Sequence, residues 1–244
     1  MQESFQAGGV AESALPSAKP VPATASESAA LTEDLALAQL EKRDLTAESI
    51  QQISEDTGVM KSRKVRVAVA SHPRTPRRIA LRLIRELYTF ELMQFALTHA
   101  APADLRRMSD QLLVSRLASI TLGERIALAR RSSEYLAGAL LTDKESRVWQ
   151  AALENARLTE VSVVKALQRT AATAAFVEAI CHHVKWSVRR EIRIALLRSA
   201  HTPLAKALEF ARGLPPAQLR DILHTSRLPE KVKSYLRKAC EERR

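Results

Sequence analysis

The chain has 244 residues, of which 46% are apolar, which is enough for one sizeable domain or one extended array with a tail. Only 4% of the residues are aromatic and only six are glycines. These numbers argue against β-sandwiches and barrels, which need many turns and strands rich in aromatic or β-branched residues. The abundant Ala, Leu, Arg and Glu are good helix formers, so the composition predicts an all-α protein.

The net charge of +11 is unevenly distributed along the chain. Residues 1–58 carry ten acids and three bases, a net of −7, which leaves +18 for the remaining residues. An acidic segment joined to a basic body indicates either a polyanionic partner or masking of the basic face by the chain's own acids.

The cysteines and the N-terminus indicate a cytoplasmic protein. Cys181 and Cys240 are too few for a disulfide framework, which favours a reducing compartment. No basic segment followed by an apolar run marks a secretory signal, and no stretch approaches 18 uninterrupted apolar residues. No membrane association is therefore expected.

Residues 1–30 are rich in Ala, Ser, Pro and Glu and hold almost no large apolar side chain. They bury too little surface to offset their ordering entropy, so a disordered acidic tail is predicted. Two N-terminal capping helices are expected within 31–60, beginning after Thr32 and Thr46, with Gly58 as a stop. The residues predicted to face inward are Leu35, Leu37, Leu40, Ile50 and Ile53.

Residues 61–240 are predicted to form basic helical repeats. When the chain is shifted by 127 residues, several positions coincide, among them Thr75-Pro76 with Thr202-Pro203. A proline also recurs after 26 residues, at Pro102 and at Pro229. Self-similarity of this kind predicts a stacked array rather than a globule.

Each repeat contains a Thr-Pro pair followed by an apolar stripe. Thr is a good helix cap and Pro fits the first helical position, because its missing N–H has no partner there anyway. One short helix cannot cover its own apolar face, so neighbouring units must stack on it. The predicted stripes are Ile79, Leu83 and Leu87; Leu204, Ala207, Leu208 and Ala211; and Val232, Tyr235, Leu236 and Ala239.

The segments "VRVAVASHPRTPRRIALRLI" and "IRIALLRSAHTPLAKAL" resemble the leucine-rich repeat variant consensus, in which V-R-x-x-V-A-x-N-P-x-T-P introduces each short helical unit. The wider similarity is to HEAT-like bacterial arrays. This resemblance implies a right-handed α-solenoid of short helical repeats. It implies little about function, because such folds host many roles. The iron–sulfur cysteine cluster of that family type is missing here, so no cofactor is expected.

The first candidate site is a row of bases with no acid between residues 61 and 85. Like charges at i,i+4 repel by a few tenths of a kcal/mol, and binding of a polyanion offsets this cost by counterion release. The alternative is that the acidic tail, or acids on an adjacent repeat, neutralise the row. Its predicted binding residues are Lys61, Arg63, Lys64, Arg74, Arg77, Arg78, Arg82 and Arg85.

The second candidate is the segment "HHVKWSVRREIR", in which Lys185, Arg189 and Arg190 surround Trp186. An exposed tryptophan among bases can stack on a nucleobase or anchor a partner. The alternative, which we favour, is that Trp186 packs between repeats under arginine stems. All four residues belong to the predicted binding set.

Two further patterns carry less weight. Cys181-His182-His183 contains metal-ligand types, but no second pair stands at a ligand spacing, so no metal is expected. Some HEAT-like proteins are DNA glycosylases that use an Asp near aromatic residues, but Asp143 before Trp149 cannot be matched to that catalytic position. No phosphate-binding loop or hydrolase motif is present, so no catalytic residue is predicted.

We therefore predict a non-enzymatic helical-repeat scaffold that binds an acidic protein partner through its basic surface. The alternative is nonspecific nucleic-acid binding through the Arg-rich helix 74–85, with glycosylase activity a remote third. No small-molecule substrate is indicated.

Overall fold

The computed structural model describes residues 31–42, 44–169 and 172–241, except for the side chains of 240 and 241. Contacts divide the chain into two units, Met1–Leu31 and Thr32–Arg244, and every element below lies in the second. The predicted disordered tail, residues 1–30, falls outside the described residues.

All regular elements of the described part are helical, which confirms the all-α prediction to that extent. None of these helices is long and apolar enough to cross a membrane. A short 3₁₀ turn, Val59–Lys61, follows the second helix. The α-helices are α1 Glu33–Leu40, α2 Ala47–Glu55, α3 Arg63–Ser71, α4 Arg77–Glu86, α5 Thr89–Leu97, α6 Ala103–Arg116, α7 Leu122–Arg131, α8 Glu134–Leu140, α9 Ser146–Leu153, α10 Glu160–Gln168, α11 Ala174–His182, α12 Arg190–Arg198, α13 Leu204–Arg212, α14 Pro216–Thr225 and α15 Glu230–Glu241.

Hydroxyl caps begin many of these helices. Thr32 and Thr46 cap α1 and α2 as predicted, and Thr159 caps α10. In each case the side-chain oxygen accepts the backbone N–H of the residue three positions on. Each such cap contributes about 1 kcal/mol to helix stability. The cap at Thr121 is completed by Glu124, whose pKa is lowered by the backbone N–H of Thr121 that it accepts.

The Thr-Pro pairs act differently from the prediction. Pro76 and Pro203 are the residues before α4 and α13, not the first residues of these helices. The hydroxyls of Thr75 and Thr202 do not cap the next helix; they donate to the carbonyls of Val69 and Leu196, near the end of the preceding one. Each threonine hydroxyl therefore satisfies a carbonyl near the end of the preceding helix, where carbonyls lack intrahelical partners.

The 127-residue self-similarity is visible in the helix register. Four consecutive helices, α3 to α6, begin at Arg63, Arg77, Thr89 and Ala103. Another four, α12 to α15, begin at Arg190, Leu204, Pro216 and Glu230, each 127 residues later. We call these the first copy and the second copy.

The core follows the predicted stripes with a few departures. Ile50, Ile53, Ile79, Leu83 and Leu87 are all buried, as predicted. Three residues expected to face inward are exposed instead: Leu35 at 47%, Leu204 at 37% and Tyr235 at 49%. In α1 the fully buried position is Ala36 instead, one residue on from Leu35.

Gly58 does not stop α2. That helix ends at Glu55, and Gly58 has a φ of −67°, outside the left-handed region that favours glycine at helix ends. The turn is closed by Asp56, whose carboxylate accepts the backbone N–H groups of Gly58 and Val59. An Asx-type turn at Asp56, and not a left-handed glycine, therefore follows the end of α2.

The principal helix contacts join elements that are one or two apart along the chain. The helices α4, α6, α8, α10, α12 and α14 contact one another in succession. The pair α1 and α2 packs on α3, where the sequence predicted capping helices. The packing is therefore built mainly from helices that are near neighbours in sequence.

Side-chain bonds also link turns that are 23 to 30 residues apart. His72 contacts the carbonyl of Lys42 at 3.1 Å, and Asn155 donates to the carbonyls of Ala129 and Ser132. Ser226 donates to the carbonyl of Leu197. Each of the three also accepts the backbone N–H of the residue two positions on, so one polar side chain fixes its own turn and ties it to an earlier one.

Candidate functional sites

Four residues of the predicted row, Arg77, Arg78, Arg82 and Arg85, lie on α4, and the other four precede that helix. Arg78, Arg82 and Arg85 are exposed, while Ile79 and Leu83 are buried on the opposite side. Spacings of four and three residues place the three guanidinium groups on one face of the helix. The remaining predicted members, also exposed, are Lys61, Arg63, Lys64, Arg74 and Arg77.

Acids on neighbouring helices neutralise part of this row. Arg77 pairs with Asp104 at the start of α6. Arg63 pairs with Glu91 at 3.4 Å and lies over the ring of Tyr88, 3.9 Å from its centroid. For these two arginines, acids on an adjacent repeat provide the compensation that the sequence left as an alternative.

Six of the eight predicted residues have no ion pair to a carboxylate of the described residues. One of them, Arg74, donates to the backbone carbonyl of Asp44. The other five are Lys61, Lys64, Arg78, Arg82 and Arg85. Arg78 and Arg82 line a small pocket of about 180 Å³ together with Glu55 of α2. We call Lys61, Lys64, Arg78, Arg82 and Arg85 the basic surface. Its net charge is positive even though single carboxylates stand near it.

The equivalent face of the second copy has a different charge pattern. Arg78 and Arg82 correspond to Ala205 and Glu209 in α13. Glu209 accepts a hydrogen bond from Lys206 at 2.9 Å, and this bond holds its pKa below the usual range. A helix at the same place in the repeat therefore forms with mixed and self-paired charges.

The structure places Trp186 inside the protein. Its side chain is 2% exposed and its indole N–H donates to the carbonyl of Leu153 at 2.9 Å. The favoured alternative is confirmed in that Trp186 is buried, so this side chain is not available to stack on a base. The surrounding cations Lys185, Arg189 and Arg190 are exposed, and Lys185 Nζ lies 4.2 Å from the indole centroid.

The Cys181-His182-His183 triplet does not converge. Cys181 is fully buried, and burial raises the pKa of its thiol to about 11. His182 bonds to the carbonyl of Glu178, whereas His183 lies 3.2 Å from the carboxylate of Glu154. Among the residues with described placement, no group of three or more His, Cys, Asp or Glu could hold a metal ion.

The residues considered for glycosylase chemistry are engaged in structural contacts. Asp143 accepts two hydrogen bonds from one guanidinium nitrogen of Arg125, at 2.7 and 2.8 Å, and its side chain is 8% exposed. Trp149 is buried and packs edge to face on Phe176, with ring centroids 5.4 Å apart. These contacts occupy the groups that such chemistry would need free.

A groove that the sequence did not reveal is lined by residues of α6, α7, α8 and α10. It encloses about 860 Å³, and we call it the α8 groove. Val114 and Leu117 form part of its apolar lining, and Tyr135 stands at its side, 54% exposed. Lys165 and Arg169 of the α10 side add positive charge. Its only sequence signal is an aromatic residue beside the small residues of "SSEYLAGALL".

No family model matches this chain, and no curated protein or solved structure matches it either. Fold and sites must therefore be interpreted from the chain's own residues.

Proposed function

We propose that the protein is a non-enzymatic helical-repeat scaffold that binds an acidic surface of a partner protein through its basic surface. The carrying observation is that Arg78, Arg82 and Arg85 lie exposed on one face of α4 without ion pairs to described carboxylates. Repulsion among such neighbouring charges costs a few tenths of a kcal/mol per pair in the free protein. An acidic partner removes that cost and gains complementary contacts that accelerate association.

The second copy supports this interpretation because it is an internal control. At the positions of Arg78 and Arg82, helix α13 carries Ala205 and Glu209. The repeat therefore forms without an arginine row. A feature that folding does not require and that costs repulsion energy is best explained by a partner.

Carboxylates near the row favour a protein partner over nucleic acid. Glu55 lines the pocket beside Arg78 and Arg82, Asp104 pairs with Arg77, and Glu86 is exposed at the end of α4. A continuous phosphate backbone would be repelled by these acids, whereas a protein surface can match a mixed pattern.

Nonspecific nucleic-acid binding is the second candidate, because unpaired guanidinium groups also suit phosphate oxygens. Its signature is a steep fall in affinity with salt. If the protein is not retained on a duplex-DNA column at low salt, nonspecific nucleic-acid binding is excluded.

The proposed scaffold is a right-handed α-solenoid of HEAT-like, leucine-rich-variant repeats. Contacts between helices one or two apart and the matched register of the two copies support stacking of successive layers. A cytoplasmic location belongs to the same proposal, since a fully buried, reduced Cys181 suits a reducing compartment.

The test uses two triple variants with the same change in net charge. One carries Arg78→Glu, Arg82→Glu and Arg85→Glu; the control carries Arg130→Glu, Arg198→Glu and Arg220→Glu, all at exposed positions. Each bait is used to capture proteins from lysate of the native host, with and without nuclease, and captured proteins are quantified by mass spectrometry.

We expect the wild type and the control to retain the same nuclease-resistant, acidic partner and the α4 variant to lose it at least about tenfold, or roughly 1.4 kcal/mol. Equal capture by all three baits contradicts the proposal. Capture that disappears with nuclease assigns the row to nucleic acid instead.

A further inference from the structure

We infer that the α8 groove is a second docking site, separate from the basic surface, for a short acidic segment of a partner protein with an apolar anchor. This inference concerns other residues than the proposed function and does not require α4. It rests on the balance of charges in the groove, on the character of its walls and on an exposed aromatic side chain.

The carboxylates of the groove already have partners. Asp143 accepts hydrogen bonds from Arg125 and from the backbone N–H of Glu145. Glu134 accepts hydroxyl hydrogen bonds from Thr159, at 2.5 Å, and from Ser162, at 3.2 Å. Asp143 is thus neutralised by Arg125, whereas Glu134 keeps its negative charge. Four cations and two carboxylates line the groove, which leaves a net charge of +2.

The other three cations of the groove have no ion-pair partner among the described residues. Lys144, Lys165 and Arg169 are exposed at the groove, and none is ion-paired with a carboxylate of the described residues. Arg169 makes only a long hydrogen bond, 3.3 Å, to the hydroxyl of Thr142. The groove thus presents three cations without ion pairs, and acidic side chains of a partner complement this positive charge.

The apolar walls of the groove provide the contact for the apolar anchor of the partner segment. Val114, Leu117, Ala118 and Ala139 present apolar surface to the groove, and Tyr135 projects beside them with half of its side chain exposed. Tyrosine is enriched among residues that dominate binding energy, because it offers apolar area and a polar tip at low entropy cost. An apolar side chain of a partner can be covered here.

Close packing of two helices shapes this wall. A Cβ atom at Gly138 would lie 3.2 Å from Ser162 Oγ, so α8 approaches α10 closely at this point. The exposed rim suits a segment of a larger molecule better than an enclosed small ligand, which is usually buried by 70–90% or so.

The experiment starts from a random dodecapeptide library displayed on phage and selected on the full chain. Enriched sequences are synthesised with a fluorescein label, and affinities are measured by fluorescence polarisation. We expect the enriched peptides to be net acidic and to share an apolar residue.

The groove variant carries Lys165→Glu and Arg169→Glu, and the matched control carries Lys64→Glu and Arg82→Glu on the basic surface. We expect the groove variant to lose at least about tenfold in affinity and the control to lose no more than about twofold. Because the control disables part of the basic surface, a failure of the proposed function cannot imitate this result.

Tyr135 gives a test that does not depend on charge. Tyr135→Ser should weaken the peptide about fivefold or more, and Tyr135→Phe should retain the affinity if the ring is the anchor. Thermal melts of every variant verify that its fold is intact.

Four outcomes overturn the inference. They are a selection without binders, enriched peptides without acidic bias, equal losses in the groove and control variants, and a labelled single-stranded oligonucleotide that binds the groove in place of the peptides.

Discussion

The first copy (α3 to α6) and the second copy (α12 to α15) share the same helix register but present different surfaces. Leu92 and Leu219 are both fully buried, and Ala80 and Ala207 are as well. Thr75 and Thr202 make the same hydrogen bond to a carbonyl six residues back. Outside, by contrast, Arg82 of the first copy is matched by Glu209 of the second.

This comparison separates what the repeat needs from what it tolerates. Buried side chains and the turn threonine agree between the copies because close packing and unpaired carbonyls penalise change. Exposed positions are free to differ, since most surface substitutions change stability by no more than about 0.5 kcal/mol. Charge on these faces can therefore vary between the copies at little cost to folding.

The largest effect is expected in the shared core. Leu92→Ala and Leu219→Ala each remove a fully buried side chain and should destabilise the protein by about 2–5 kcal/mol. Chemical denaturation measures both. If one substitution lowers the free energy of unfolding several times more than the other, the two copies are not equivalent at this position.

The turn threonines should show a smaller effect that differs between the copies. Thr202→Val leaves the carbonyl of Leu196 without its hydroxyl donor in a buried turn, which should cost about 1–2 kcal/mol. Thr75 is only partly buried, so Thr75→Val should cost about 1 kcal/mol or less. The ranking is checked by urea melts, and a reversed order would contradict it.

A buried acid distinguishes the first copy. Asp110 accepts a hydrogen bond from Ser133 at 2.7 Å, and burial raises its pKa, while the matching residue of the second copy is the exposed Arg237. A raised pKa in the folded state means that this group favours folding at low pH. That contribution is lost as the pH rises through the folded-state pKa.

Asp110→Asn should therefore raise the melting temperature at pH 7 by about 2 °C or less, with the difference shrinking towards pH 4. The attraction of Arg106, which the substitution removes, keeps the gain small. Arg237→Gln gives a contrast of opposite sign: it removes a cation that helps to lower the pKa of Glu230, so any loss of stability at pH 7 should shrink as the pH falls. A variant that melts lower than wild type at pH 7 would show that the charged form is stabilised instead.

The smallest effect on stability is expected from exchanging the two outer faces. Replacing Arg78 by Ala and Arg82 by Glu gives α4 the residues of α13, and the reciprocal variant carries Ala205→Arg and Glu209→Arg. Each double variant should stay within about 1 kcal/mol of wild type. A large loss in the first would mean that the row has a folding role.

Much of the helical layout could be predicted from sequence because the signals are local. Hydroxyl caps at Thr32, Thr46 and Thr159 mark helix starts within a few residues of the stripes that they precede. The burial of Ile79 and Leu83 opposite Arg78 and Arg82 follows from helical periodicity alone.

The features that the sequence left open or did not reveal depend on partners that are distant in sequence. Trp186 is held by the carbonyl of Leu153, 33 residues earlier, and the compensation of Arg77 comes from Asp104. The α8 groove is assembled from four helices, so no single stretch carries its pattern. Thr75 was assigned to the wrong helix end because a hydroxyl before proline can bond in either direction.

The polar side chains that tie successive turns together also provide built-in reporters of how the molecule opens. The amide protons of Arg74, Arg157 and Leu228 are held by His72, Asn155 and Ser226, outside any helix. The same side chains also bond to carbonyls 23 to 30 residues earlier in the chain. We therefore expect hydrogen exchange at the three amides to report release of these long-range contacts, independently of fraying within a helix.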